Sequence, residues 1–298
     1  MTLKKILIVS GTHGNEINPV WAVNQFGKQK NIMDNNIEYK FVMGNPLAYE
    51  RGCRYIDSDL NRSFKLTKNT RESNIYEVNR ANLLIDKFGI NGSEPCEIAI
   101  DLHTTTANMG TSIVMYGRRQ KDFCLAALLQ HKFGLPIYLH EKDEKQTGFL
   151  VEAWPCGLVI EIGSVAQNFY DLKIIDKFLI IISSLRDEIN RLKDNHIKLP
   201  KDLIVHVHQG SIDYPRAKNG TIDALIHPER MNQDWKPIRN GDPLFVNDEG
   251  KTTFYTGEDT IWPVFIGEVA YKEKNIAMSY TKKEVINCSH KMCEEFFS

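Results

Sequence analysis

The apolar run Ile6-Leu7-Ile8-Val9-Ser10 passes directly into Gly11-Thr12-His13-Gly14-Asn15-Glu16, and this junction constrains the chain more than any other segment. A short β-branched run with no polar alternation reads as a strand buried on both faces, as in a parallel sheet. The glycines that follow mark a tight loop at its carboxyl end. That loop carries His13 and, three residues on, Glu16. Imidazole nitrogen and carboxylate oxygen are both zinc ligands. A second strand-like run, Glu97-Ile98-Ala99-Ile100-Asp101-Leu102, ends in His103. His13, Glu16 and His103 make a three-ligand set with an open fourth position, the pattern of a catalytic zinc.

A lone His-x-x-Glu is a common pairing, and two further clusters give it weight. The segment from Gly52 to Phe64 is dense in anion-recognising groups. Arg62 offers a planar fork suited to a carboxylate, with the Asn61 amide beside it. Arg54 is a separate fixed cation placed to stabilise an oxyanion. Asp59 is a candidate acceptor for the second ring N–H of a ligating histidine. Further on, Leu158-Val159-Ile160-Glu161-Ile162-Gly163 sets one carboxylate in the middle of an apolar strand. Such a charge is costly to bury unless paired or used. Beside a metal-activated water, Glu161 would serve as general base.

The first two-thirds alternates strand-like and helix-like segments, which predicts an α/β fold around a mostly parallel mixed sheet flanked by helices. The strand candidates are 5–10, 39–43, 97–102, 112–116 and 158–162. Helices are expected over 19–29, 73–88, 121–133 and 171–193, the last with apolar residues at helical spacing from Ile174 to Leu185. After Asn195 the pattern changes to short alternating runs separated by turns such as Lys218-Asn219-Gly220 and Asp248-Glu249-Gly250. Residues 1–195 are therefore read as a catalytic domain and 196–298 as a smaller, mostly β domain. His206 and His208 sit two apart in an alternating run and read as ordinary strand residues, with no third ligand nearby in sequence.

His13-x-x-Glu16, Asp59-x-Asn61-Arg62, His103 and Glu161 together resemble the zinc carboxypeptidase-like aspartoacylase/succinylglutamate desuccinylase family. The resemblance runs nearly end to end, through Asp101-Leu102-His103, Asn108-Met109-Gly110, Asp213-Tyr214-Pro215-Arg216, Gln233-Asp234-Trp235-Lys236-Pro237, Gly241-Asp242-Pro243 and Glu268-x-Ala270-Tyr271. It implies a zinc-carboxypeptidase-like fold whose C-terminal domain caps the active-site entrance against peptides. It implies one Zn2+ per subunit on His13, Glu16 and His103, with Glu161 as the base and Arg54 polarising the scissile carbonyl. Asn61 and Arg62 would grip a substrate carboxylate, Tyr271 would close over the substrate, and Glu268 would hold that region in place. The implied activity is hydrolysis of an N-acyl amino acid, with N-acetyl-L-aspartate the leading substrate. A carboxypeptidase and a metal-binding module without catalysis are the competing readings. The presence of Glu161 argues against the second.

One departure bears on specificity. Animal aspartoacylases place a further arginine shortly before the catalytic glutamate, yet no arginine occurs between Arg119 and Arg186 here. Phe149 is the expected occupant of that position, with Lys142 or Lys145 as substitute charges, though lysine is a poorer bidentate partner. Deacylation of N-acyl aromatic amino acids is therefore the alternative activity.

A chain of 298 residues with formal net charge −1 gives no sign of nucleic acid or an anionic membrane as partner. No apolar run approaches a membrane span. Lys4-Lys5 and the run after them are too short for a signal peptide, and the six scattered cysteines need no disulfides, so a cytoplasmic protein is expected. The expected partner is the small-molecule substrate. Self-association is left open.

Overall fold

The computed structural model describes residues 4–28, 37–64, 73–141, 143 and 146–298. Strands β1 (Lys4–Ser10), β2 (Ile37–Met43), β3 (Ile98–Thr105), β4 (Thr111–Tyr116), β5 (Ile137–His140), β6 (Cys156–Gly163) and β7 (Asp202–Ile212) form the body of one sheet. The apolar runs seen in sequence become the central strands, and every residue of β6 is buried. The strands β8 (Ala224–Ile226), β9 (Pro243–Asn247), β10 (Thr252–Phe254), β11 (Trp262–Val264) and β12 (Met278–Asn287) follow. The nine-stranded sheet has the order β11-β12-β7-β5-β4-β6-β3-β1-β2, and β10-β9-β8 make a small separate sheet. Within the nine-stranded sheet, pairing is parallel except for β4 with β6 and the two pairs made by β12; the small sheet is antiparallel. The fold is thus a mostly parallel mixed sheet, as the alternation of segments implies.

The helices are α1 (Ile17–Gly27), α2 (Pro46–Glu50), α3 (Tyr76–Phe88), α4 (Gln120–Phe133), α5 (Leu172–Lys193) and α6 (His290–Phe297). One face of the sheet, through Ile6, Ile8, Ile100, Leu158 and Ile160, packs on α1, α4, α5 and α6. The other face, through Leu7, Val9, Ala99 and Val159, packs on Ala81, Leu84 and Phe88 of α3 and on Leu150 and Trp154. Each fully buried aliphatic side chain is worth roughly 1.5–3 kcal/mol, so both faces of β1, β3 and β6 are fixed firmly. A third cluster, around Ile226, Ile238, Phe245 and Met278, belongs to the C-terminal region.

Several boundaries differ from the sequence reading. Strand β3 runs on through Thr105, so His103 lies inside a strand and not at its end. Helix α1 begins at Ile17 and α3 at Tyr76. Residue 29, the expected end of the first helix, falls outside the described residues, as do Lys142 and Lys145. Strand β5 was not anticipated, because four residues are too few to show a period. Helix α6 closes a region expected to be mostly β, and its Met292 and Phe296 join the main core. Strands β7, β12 and β11, all after residue 195, belong to the large sheet, which therefore runs across the boundary drawn at 195/196. All six cysteines are free thiols. No helix among the described residues is long and apolar enough to cross a membrane.

Candidate active site

The loop after β1 is shaped by its glycines. Gly11 has φ +67, and a Cβ on Gly14 would sit 2.1 Å from the backbone carbon of Ala48. Only glycine allows that approach, which brings the Gly14 amide to the Arg54 carbonyl at 3.1 Å. The His13 loop and the Arg54 loop are thereby locked together. The second loop is also held from beneath. Buried Glu77 of α3 accepts the backbone N–H groups of Ile56, Asp57 and Ser58 at 2.6, 3.0 and 3.1 Å, and the Asn45 amide at 3.0 Å. Nothing in the sequence near Glu77 announced this role, because its partners lie 19 to 32 residues away.

His13, Glu16 and His103 are buried and converge, with ligand atoms within 4.8 Å of one another. His13 Nδ1 faces Glu16 Oε1 at 2.7 Å, and His103 Nδ1 faces Glu16 Oε2 at 3.0 Å. The far nitrogens point the other way: His13 Nε2 meets Asp59 Oδ1 at 3.0 Å and His103 Nε2 meets Asp101 Oδ2 at 2.7 Å. Each imidazole can thus donate Nε2–H to a carboxylate and turn Nδ1 inward, the tautomer a metal ligand needs. Asp101 is fixed in turn by the Thr12 hydroxyl at 2.7 Å, and Glu16 accepts the Thr104 amide at 2.9 Å. Asp59 occupies the position expected of it. Asp101 was missed, although its place two residues before His103 on a strand puts both side chains on one face.

Charge in this cluster is predominantly negative. Burial alone would raise the Glu16 carboxyl, but His13 and His103 outweigh it and hold it far below the usual carboxylate range. Asp59 is likewise held low, His13 and Arg54 overcoming its burial. Burial opposes a charge on His103, yet Asp101 and Glu16 pull it well above the usual histidine value. A divalent cation would satisfy the same carboxylates and displace that proton. Two imidazoles and one carboxylate, each supported from behind, therefore suit zinc.

Glu161 lies in the sheet interior, in register with His103 of β3 and Ser112 of β4. It is buried, and not on an edge strand. Burial pushes its carboxyl well above the usual range, with Glu16 and Glu268 adding to the effect against His103. Arg54 approaches Glu16 at 3.5 Å and Asp59 at 3.4 Å, while its Nε is buried and has no hydrogen-bond partner. Glu268 is bonded to the Thr105 hydroxyl, to the Thr106 amide at 2.8 Å and to the Ala270 amide at 2.9 Å. It ties the segment carrying Tyr271 to the end of β3.

His13, Glu16, Arg54, Asn61, Arg62, His103, Glu161, Glu268 and Tyr271 all line one pocket, with about 640 Å³ of empty space including its open mouth. Asn61 Oδ1 is committed to the Leu150 amide at 2.8 Å, which leaves its NH2 for the pocket. Arg62 spans Asn61 O at 2.7 Å and Gln146 Oε1 at 2.9 Å, and its guanidinium lies 3.9 Å from the Phe149 ring centre. Phe149 stacks on Tyr116 at 3.7 Å, with His140 edge-on at 5.5 Å. Tyr116, Tyr138, His140 and Gln146 were not foreseen as pocket residues. Burial, with His208 next, brings the His140 imidazole down to about 4.

The family model described as the succinylglutamate desuccinylase/aspartoacylase catalytic domain matches residues 2–189, and the barrel-sandwich hybrid domain of the same family matches 201–283. A protein of Prochlorococcus marinus subsp. pastoris named "Probable aspartoacylase" is 80% identical over 298 residues, all of both chains. One from another Prochlorococcus marinus strain, named likewise, is 45% identical over 95% of this chain and 93% of its own. Among solved structures, murine aminoacylase 3 superimposes with a TM-score of 0.86 at 28% identity, covering 97% of this chain and 98% of its own. A Vibrio cholerae succinylglutamate desuccinylase shares the fold, with a TM-score of 0.62 at 18% identity over 96% of this chain and 82% of its own.

Proposed function

The chain belongs to the succinylglutamate desuccinylase/aspartoacylase family, and from that membership we propose a zinc-dependent amidohydrolase that cleaves N-acetyl-L-aspartate to acetate and L-aspartate. Hydrolysis of the amide bond of an acyl amino acid is the activity shared by its relatives' names. The observation that carries the zinc reading is the common orientation of His13 and His103, Nδ1 on Glu16 and Nε2 on a carboxylate, beside buried Glu161.

Bound by His13, Glu16 and His103, zinc would supply Lewis-acid polarisation and make water easier to deprotonate. The chain's own residues do the rest. Glu161 takes the proton of the attacking water as its oxygen bonds to the acyl carbon. It delivers that proton to the amide nitrogen as the C–N bond breaks. A carboxyl raised by burial is suited to holding a proton between the two steps. The unpartnered Arg54 Nε offers a buried donor to the oxyanion. Asn61 and Arg62 hold the α-carboxylate, and Tyr271 covers the amino-acid portion.

A second reading, deacylation of N-acyl aromatic amino acids, is favoured by the stacked Phe149–Tyr116 wall beneath Arg62. The test is kcat/KM for N-acetyl-aspartate, N-acetyl-glutamate, N-acetyl-tyrosine and N-acetyl-methionine, with acetate release and zinc content measured on the same preparation. N-acetyl-aspartate is expected to lead. A clear preference for N-acetyl-tyrosine would replace the substrate while leaving the mechanism in place. Full turnover by metal-free protein would overturn the zinc reading itself.

A further inference from the structure

Beside the pocket, where His140 at the end of β5 meets Asp143 and His208 of β7, we propose a second divalent-metal site made by His140, Asp143 and His208. The three ligand atoms lie within 4.8 Å of one another. His140 Nε2 is buried with no hydrogen-bond partner and stands 3.8 Å from Asp143 Oδ2. The residue itself is 7% exposed, so no bulk water serves that lone pair. An orphaned buried imidazole nitrogen is rare in a folded protein and asks for a partner.

The neighbouring groups are set as they are around metal ligands. His208 Nδ1 is 2.8 Å from the Tyr138 hydroxyl, which leaves Nε2 as its free ligand atom. The two imidazole rings are 4.9 Å apart and tilted by 38°. Gln146 Nε2 donates to Asp143 Oδ2 at 3.1 Å and so fixes the carboxylate. Supporting hydrogen bonds of this kind orient ligating side chains. Two imidazoles and one carboxylate suit zinc or a similar first-row divalent ion, with positions open for water. His206, two residues before His208, is not part of the set. It packs against Trp235 and Trp262 and bonds to Thr281 at 3.2 Å.

The cluster is separate from the His13–Glu16–His103 group, yet it is linked to the substrate pocket, because Gln146 bridges Asp143 to Arg62. Arg62 and Lys274 place positive charge near His140. They weaken the attraction for a cation, so this site binds less tightly than the first.

Zinc titration of the metal-free full chain by calorimetry, with bound zinc counted after gel filtration, tests the proposal. The wild type is expected to show two binding events. His208→Ala is expected to abolish the weaker one while keeping the tighter one, which also reports that the variant is folded. Asp143→Asn, on a half-buried loop residue, is expected to weaken the second event at least about tenfold. A single event in the wild type, or a second event unchanged in both variants, would overturn the proposal.

Discussion

The two ends of the pocket differ in how their imidazoles are held. At the end holding His13, Glu16 and His103, each imidazole nitrogen faces a carboxylate, and each of those carboxylates has a further hydrogen-bond partner. At the other end, the His140 Nε2 is buried without one, as among the described residues only the Arg54 Nε and the Asn15 Oδ1 are at the first. A satisfied polar network is rigid and holds reacting groups in place. An unsatisfied one keeps donors and lone pairs available for whatever arrives. On the proposed function, the first end carries the reaction and the second the recognition.

The sharpest way to break this contrast is at Glu161. A base acting only in the chemical step should affect kcat far more than metal content. Glu161→Gln is expected to retain zinc and fold while losing at least about a hundredfold in kcat. Near-normal turnover would make Glu161 a buried structural residue and remove the chemistry from the satisfied end.

The next test addresses the supports behind the ligands. Asp101→Asn takes away the charge that faces His103 Nε2 and the Thr12 hydroxyl. Zinc affinity is expected to fall about 10–100-fold, the usual cost of losing such a partner. Competition against a chelator of known affinity would measure it. Unchanged affinity would mean that His103 is held by packing alone.

How far each end can be read in the sequence follows the same division. The catalytic end lies in short strings at the carboxyl ends of apolar runs, where an open α/β sheet places its site. His13-x-x-Glu16 and Glu161 are visible there because unusual charges interrupt otherwise apolar or glycine-rich segments, and Asp59-x-Asn61-Arg62 shows as a dense polar cluster in the loop after α2. Asp101 was also within reach, since strand alternation puts it on the face of His103. The recognition end has no such string. Tyr116, Tyr138, His140 and His208 come from β4, β5 and β7, brought side by side only by the strand order β7-β5-β4. Their spacing in sequence carries no signal, and β5 is too short to be recognised. Glu77 is hidden for the same reason, since its value lies in which loop amides a tertiary contact brings to it.

The smallest expected effect, on Lys274, whose charge is felt by Arg62, Asp59 and Arg54, probes the site from the side of stability. Burial, with Arg62 nearby, brings its ammonium from 10.5 down to about 8. Above about pH 8 the folded chain loses this proton, while the unfolded chain keeps it until about 10.5, so stability from this group rises with pH across that window. Below it the full cost of burying an unpaired charge is present. Lys274→Met should therefore raise Tm at pH 7, and the gain should shrink as pH climbs from 8 and vanish near 10.5. Melting curves of both proteins across that range would show it, and a pH-independent difference would mean that the ammonium is not strained. The same variant also tests what the strain is for. If Lys274 supplies the positive charge that the absent arginine would have given, KM for N-acetyl-aspartate should rise while that for N-acetyl-methionine stays put. A protein made more stable and less selective by one substitution would locate a cost of recognition at the buried Lys274 ammonium.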